Sequence, residues 1–193
     1  MIYLIRHGQT NWNVEGKLQG KTDIPLNENG KKQAKNISDN IAKLNITRII
    51  SSDLSRAKET AEIINEKIQG KMFTDKRLRE VDYGELEGKF VKSFSEETWD
   101  IFNSSPEKLK GESRENVYRR IKSLFNEIKD EEENILVVTH GGALRMMMYY
   151  ANNKDSFNKE EYEKNYKNMK INNTEIFELG KLKNTEKDIE ITL

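Results

Sequence analysis

The chain has 193 residues, 35% hydrophobic and 34% charged, with 33 Lys+Arg against 33 Asp+Glu and a formal net charge of zero. That length suits one domain with a real core, the charge balance gives no global drive toward nucleic acid or an anionic membrane, and the lack of cysteine excludes disulfides and thiolate chemistry. No apolar run approaches the ~18 residues of a bilayer span, and the start lacks a signal-like pattern, so a cytoplasmic protein is the simplest expectation.

The first element is the apolar run Ile2-Tyr3-Leu4-Ile5, which reads as a short strand buried on both faces. Arg6-His7-Gly8-Gln9 follows at its carboxyl end, where open α/β sheets bind ligands. Gly8 is expected to let the backbone turn sharply there and approach a ligand closely. Thr10-Asn11-Trp12-Asn13 comes next, then a glycine-punctuated loop from Gly16 to Pro25 with Lys17, Gln19, Lys21 and Asp23. Asn27 reads as the N-cap of an amphipathic helix, with Glu28 in its first turn and Ala34, Ile37, Ile41 and Leu44 as its apolar stripe.

Thr47 to Ile50 predicts a strand, and Asp53 or Ser55 the cap of a helix buried through Ala57, Ala61, Ile64 and Ile68. Arg56 lies in the first turn of that helix, where a cation works against the dipole. A phosphate beside the helix N-terminus accounts for it. Gly70 is expected to close the helix, and Lys71 to Thr74 to form a third strand. Leu78 to Gly88 is polar and glycine-bounded, and reads as a loop carrying Glu80, Asp82, Glu85 and Glu87. Residues 89–110 read as a helical, cap-like insertion over the site, with Phe90, Phe94, Trp99, Ile101 and Phe102 forming its own small core.

Ser113 caps a helix through Val117, Ile121, Leu124 and Ile128, in which Arg119 and Arg120 read as part of a solvated face. The acidic run from Asp130 to Glu133 reads as a solvated turn. Ile135 to Thr139 repeats the opening pattern, a buried strand followed at once by His140-Gly141-Gly142. The helix that follows is apolar nearly all round and should be largely buried. After a charged stretch, Glu175 to Leu179 alternates like an edge strand, and Ile189 to Leu193 is a last strand candidate. Strands and helices alternate through most of the chain. This predicts an α/β fold with a mostly parallel central sheet and helices on both faces. Residues 1–193 are expected to form a single domain carrying the 89–110 insertion.

The two histidines are the only ones present, and both follow buried strands in glycine turns. Together with Arg6, Asn13, Arg56 and Glu80 they make an anion-binding set, to which guanidinium forks are well suited. The residues point away from a bound metal, since they include no cluster of carboxylates and histidines. A P-loop, a nucleotide glycine fingerprint and a G-x-S-x-G elbow are absent. What remains is histidine as the phosphoryl acceptor, with one ring nitrogen unprotonated near neutrality. Cationic donors would hold the equatorial oxygens, and a loop carboxylic acid would protonate the leaving oxygen. Spacing alone does not choose between Glu80 and its rivals Asp82, Glu85 and Glu87.

In order, the chain shows Leu4-Ile5-Arg6-His7-Gly8-Gln9-Thr10 with Trp12-Asn13, and Leu18-Gln19-Gly20 with Asp23, Pro25-Leu26 and Gly30. Ser51-Ser52-Asp53-Leu54-Ser55-Arg56-Ala57 follows with Thr60-Ala61, then Leu78-Arg79-Glu80 with Gly84 and Glu87-Gly88, Gly111-Glu112-Ser113, and Val138-Thr139-His140-Gly141-Gly142. Over roughly Ile2 to Tyr150 this series resembles the histidine phosphatase superfamily, in the branch similar to phosphoglycerate mutase. The resemblance implies a three-layer α/β sandwich and a phosphohistidine intermediate on His7. It implies a phosphate pocket of Arg6, Arg56 and His140 aided by Asn13, Glu80 as general acid and then base, and Gln19 and Gly141 on the substrate side. It implies no cofactor and no metal, a small phosphorylated substrate, and no nucleic-acid or membrane partner. Oligomeric state is left open. Mutase members carry an arginine-rich insertion after the acid loop, whereas residues 89–110 contain no arginine. The expectation is therefore a metal-independent phosphomonoesterase, of broad-specificity or α-ribazole phosphatase type. The alternatives are a phosphoglycerate mutase and a noncatalytic phosphate-binding module.

Overall fold

The computed structural model describes residues 1–153, 156–179 and 189–190. Strand β1 (Ile2–Arg6) leads through the short helix α1 (Asn11–Glu15) to α2 (Glu28–Ala42), β2 (Arg48–Ser51), α3 (Ser55–Ile68) and β3 (Lys71–Thr74). Three 3-10 turns, at Lys76–Leu78, Gly84–Leu86 and Val91–Ser93, precede α4 (Glu96–Ser104), and a fourth, at Pro106–Leu109, follows it. The chain continues with α5 (Arg114–Ile128), β4 (Ile135–Thr139), α6 (Gly141–Asn152), α7 (Lys159–Asn165), β5 (Ile176–Leu179) and β6 (Ile189–Glu190).

The sheet order is β3-β2-β4-β1-β5-β6. β3, β2, β4 and β1 pair in parallel, and β5 and β6 are added antiparallel. Alternate residues of the central strands enter two separate cores. Ile2, Leu4, Ile135 and Val137 pack with α5 and α6 on one face. Tyr3, Ile5, Leu136 and Val138 pack with α2 and α3 on the other. This is the three-layer α/β sandwich, and it explains why β1 and β4 are apolar at four successive positions, Ile2 to Ile5 and Ile135 to Val138, rather than at alternate ones.

Most caps form where local chemistry places them. Asn27 accepts from Gly30 N at α2, and Ser113 from Asn116 N at α5. The start of α3 differs from expectation. Its N-cap is Leu54, without a side-chain bond. Asp23 reaches in from the early loop and accepts from both Ser55 N and Ser55 Oγ at 2.7 Å. Asp53 is drawn away instead by Arg79, which grips both its oxygens at 2.7 and 2.6 Å. At the far end of α3 the left-handed residue is Gln69, not Gly70.

Two further expectations are corrected, for β5 and for Arg120, and one helix is added. The charged stretch after α6 contains α7, anchored by buried Tyr162 edge-on against Tyr149. β5 lies inside the sheet between β1 and β6, so Ile176, Phe177 and Leu179 are all buried and no edge-type alternation appears. Arg120 is no solvated residue. It donates to the carbonyls of Arg77, Arg79 and Glu80 and pairs with Glu112, both side chains being mostly buried. Neighbouring Arg119 is exposed and pairs with Glu115. Of the final strand candidate, residues 191–193 lie outside the described residues.

Candidate active site

β1 and β4 are adjacent and parallel, in register from Ile2 opposite Ile135 to Arg6 opposite Thr139. Their carboxyl ends therefore deliver His7 and His140 side by side, and His7 N donates to Thr139 O at 2.9 Å. The two rings lie 5.1 Å apart between centroids, tilted by 58°. A cavity of about 280 Å³ opens at this end of the sheet, and Arg6, His7, Asn13, Gln19, Arg56, Glu80 and Gly141 are in its wall. His140 is fully buried beside His7 and does not form part of that wall.

Gly8 serves packing rather than a ligand. A Cβ there would sit 2.5 Å from Gly30 O, because the first turn of α2 crosses the backbone at that point. The crossing holds the carbonyl of Gly8 within 2.6 Å of His7 Nδ1. A carbonyl can only accept, so Nδ1 carries the ring proton and Nε2 is left with its lone pair. Burial, with Arg56 and Arg6 adding their charge, holds His7 well below the ordinary histidine range, although the Gly8 bond pulls the other way. At neutral pH the ring is a neutral base.

Arg56 is fully buried in the first turn of α3. It donates through Nη1 to Thr22 O at 2.8 Å, through Nη2 to Gly20 O at 2.6 Å, and through Nε to His140 Nδ1 at 3.1 Å. Of five N–H donors, two remain for a ligand. Burial lowers its pKa to about 10, against the pull of Glu80, Asp23 and Glu87, which still leaves it charged at neutrality. The carbonyls that hold it belong to a loop pinned by Glu87. That carboxylate accepts from Lys21 N, Thr22 N and Tyr83 N at 2.9 to 3.0 Å.

Because Arg56 donates to Nδ1, the proton of His140 lies on Nε2, a buried atom with no hydrogen-bond partner. Arg6 Nε is also buried and unpartnered, while Arg6 Nη1 is tied to Ile171 O. Two orphaned buried donors each cost about 1–3 kcal/mol. Arg6, Arg56 and the unprotonated Nε2 of His7 share one cavity, and the His140 ring lies 5.1 Å from that of His7. Cationic and neutral N–H donors beside an unprotonated ring nitrogen are a set suited to an oxyanion.

Glu80 is held by the start of α6. Oε1 accepts from Val81 N and Ala143 N at 2.9 and 3.0 Å, and Oε2 from Gly142 N at 3.0 Å. Gly142 is required here, since a Cβ would lie 2.5 Å from Glu80 Oε1. The rival carboxylates are engaged elsewhere. Asp82 faces Lys21, Glu85 pairs with Lys110, and Glu87 pins the loop as described. Asn13 Oδ1 accepts from Thr10 N, and Gln19 Oε1 accepts from Thr10 Oγ1.

The sequence singles out no site role for Trp12, Tyr83 or Arg145, all of which line the cavity together with Lys17 of the early loop and Val91 of the 89–110 segment. Nor does it single out Asn173, whose Nδ2 donates to His7 O at 2.8 Å. Arg145 had one signal, a lone cation in an otherwise apolar helix. Asn173 had none, lying 166 residues from its partner. Among the described residues no three His, Cys, Asp or Glu side chains converge as a metal-ligand set.

The family model for the histidine phosphatase superfamily (branch 1) matches residues 2–183. The chain is 40% identical over 151 residues to a probable phosphoglycerate mutase GpmB of Cronobacter sakazakii, covering 74% of this chain and 70% of that protein. It is 38% identical over 158 residues to phosphoglycerate mutase-like protein 4 of Arabidopsis thaliana, covering 76% and 68%. Among solved structures, a mycobacterial glucosyl-3-phosphoglycerate phosphatase superposes with TM-score 0.78 at 25% identity, over 91% of this chain and 88% of the other. An Entamoeba histolytica phosphoserine phosphatase gives 0.74 at 27% identity, over 91% and 88%. Sequence and fold thus agree over nearly the whole chain, which belongs to the histidine phosphatase superfamily, branch 1, and is an enzyme acting on phosphate esters.

Proposed function

We propose that the protein is a metal-independent phosphomonoesterase that works through a phosphohistidine on His7 and acts on small phosphorylated metabolites in the cytoplasm. The observation that carries this is the pair of orphaned donors, Arg6 Nε and His140 Nε2, beside the lone pair of His7 Nε2. A phosphoryl group is the ligand that satisfies the donors and meets the nucleophile at once.

In the first step His7 Nε2 attacks phosphorus and the ester P–O bond breaks. The ring's growing positive charge is supported by the Nδ1–H bond to Gly8 O. Arg6, Arg56, His140 and the Asn13 amide stabilise the equatorial oxygens. Glu80 delivers a proton to the leaving alkoxide. Both lone pairs of Oε1 are already used, whereas Oε2 has one free, so Oε2 is the atom assigned to carry that proton. In the second step the Glu80 carboxylate takes a proton from water as the water oxygen attacks phosphorus. The P–N bond breaks, releasing inorganic phosphate and neutral His7. The Gly141 N–H, at the first position of α6 and so without an intrahelical acceptor, adds a donor on the same side.

Rapid-quench labelling with a phosphomonoester in the presence of chelator tests the reading. Acid-labile, alkali-stable phosphate is expected on the His7 peptide, with orthovanadate suppressing both label and turnover. Label on serine or aspartate, or activity lost in chelator and restored by a divalent metal, overturns it. A second reading, phosphoglycerate mutase, is favoured by the names of the curated relatives. It requires that isomer interconversion of 3-phosphoglycerate, primed with bisphosphoglycerate, outpace phosphate release.

A further inference from the structure

We propose that the alcohol portion of the substrate carries a second anionic group, and that Arg145 and Arg114 bind it in a cavity adjoining the reaction site. The inference rests on the hydrolase reading above and extends its site.

The chain has nine arginines. Arg48, Arg77, Arg79, Arg119 and Arg120 each have a carboxylate within ion-pair distance. Among the described residues Arg6, Arg56, Arg114 and Arg145 do not. These four converge on two neighbouring cavities. The first is the 280 Å³ reaction cavity, where Arg6 and Arg56 answer the transferred phosphoryl group. The second, of about 480 Å³, contains Arg114 and Arg145 together with Lys167. Tyr83 and Arg145 belong to the walls of both. A substrate whose phosphoryl group lies against His7 therefore meets Arg145 as its alcohol portion extends into the second cavity, whose volume falls in the range of small-molecule sites.

Both arginines are pre-positioned. Arg145 Nη1 donates to Met169 O at 3.0 Å, which leaves most of its fork unspent. Arg114 stacks over the Phe102 ring at 5.2 Å and hydrogen-bonds with Tyr83. Taking a guanidinium partly out of water without a counter-charge is unfavourable, and an anion supplied by the substrate removes that penalty. Carboxylate and phosphate both match the planar fork. The same cavity is lined from α4 by Glu96 and Asp100, which among the described residues form no ion pair with either arginine. They are placed to accept hydrogen bonds from hydroxyl or ammonium groups of the same molecule. The second anion site thus comes from α5 and α6, not from the arginine-free 89–110 segment.

The test uses the full chain with phenyl phosphate and a matched three-carbon series of phosphomonoesters ending in hydroxyl, carboxylate or a second phosphate. At least one acid-ended ester is expected to exceed the hydroxyl-ended one in kcat/KM by tenfold or more. The better of the two identifies the anion. In Arg145→Gln that preference should fall at least fivefold, mainly through KM, with Arg145→Lys retaining part of it. Arg114→Gln, measured in parallel, serves if Arg145→Gln does not fold. Hydrolysis of phenyl phosphate without preference for either acid-ended ester overturns this proposal and leaves the hydrolase reading standing. So does a preference that survives unchanged in the folded variants. No phosphate release from any ester, phenyl phosphate included, overturns the hydrolase reading itself.

Discussion

Arg56 Nε donates to His140 Nδ1 across 3.1 Å, between two side chains with no exposed surface. One bond links the first turn of α3 to the end of β4, 84 residues away. It sets the tautomer of His140 and leaves Nε2–H as a donor without an acceptor. The same guanidinium is held from the other side by the carbonyls of Gly20 and Thr22, so the anion site and the substrate loop share one support.

Arg56→Lys keeps the charge but not the fork. It cannot serve His140, Gly20 and Thr22 together, and hydrogen bonds involving a charged group are each worth about 1.5–3 kcal/mol. Loss of one such contact to phosphate should weaken inhibition by orthophosphate about 10–100-fold. Inhibition constants at fixed ionic strength measure this, and an unchanged constant would remove Arg56 from the anion site.

Glu80→Gln retains shape and removes the acid. A positioned acid contributes ~10²–10⁴-fold, and its loss should fall on alkyl phosphates, whose leaving alkoxide is strongly basic, far more than on p-nitrophenyl phosphate. Single-turnover phosphorylation of His7 separates this from the later attack of water. Small, equal losses for the two leaving groups would transfer the role to another acid.

Both histidines are held well below the ordinary range, His7 by burial and then Arg56 and Arg6, and His140 by burial, then Arg56, His7, Arg120 and Arg6. His7 therefore stays neutral and nucleophilic on acidification, and its limb in the pH profile of kcat/KM should lie below about pH 6.5. Stability runs in the same sense. Below about pH 6.5 the unfolded chain takes up protons that the folded chain refuses, so stability is full above that pH and declines as pH falls toward the folded values. Each histidine contributes a slope of up to about 1.4 kcal/mol per pH unit. Urea unfolding at stepped pH should show a shallower acid decline in His7→Ala than in the parent, and identical slopes would contradict the assignment.

Arg120→Met should destabilise the fold by about 3 kcal/mol, because it leaves Glu112 mostly buried and unpaired and releases the carbonyls of Arg77, Arg79 and Glu80. Denaturant midpoints report the loss. Slower turnover in the folded fraction would show in addition that Arg120 positions the Glu80 segment, whereas a midpoint within experimental scatter of the parent would return Arg120 to the surface.

The sequence by itself determined the elements whose signals are local. β1 and β4 open with four apolar residues in a row, α5 and α6 have helical burial patterns, and Asn27 and Ser113 cap within three residues of themselves. Those signals suffice to put Arg6, His7 and His140 at the ends of buried strands, and the ordered motifs indicate the family, whereas the pairing of β1 with β4 belongs to the folded sheet. The tertiary structure alone decided which charge meets which. It gave α3 its cap from Asp23 rather than Asp53 or Ser55, turned Arg120 inward while Arg119 stays in water, and explained Gly8 by a backbone crossing at Gly30. It separated Glu80 from Glu87, which differ by seven positions in one loop, and brought Arg145 to the wall of the reaction cavity. The physical reason is range. Periodicity and capping arise from neighbours three or four residues apart, whereas the partner of a carboxylate or guanidinium is chosen by proximity in the folded chain. Here those partners lie 26, 32, 62 and 84 residues away, at Asp53–Arg79, Asp23–Ser55, Glu80–Gly142 and Arg56–His140.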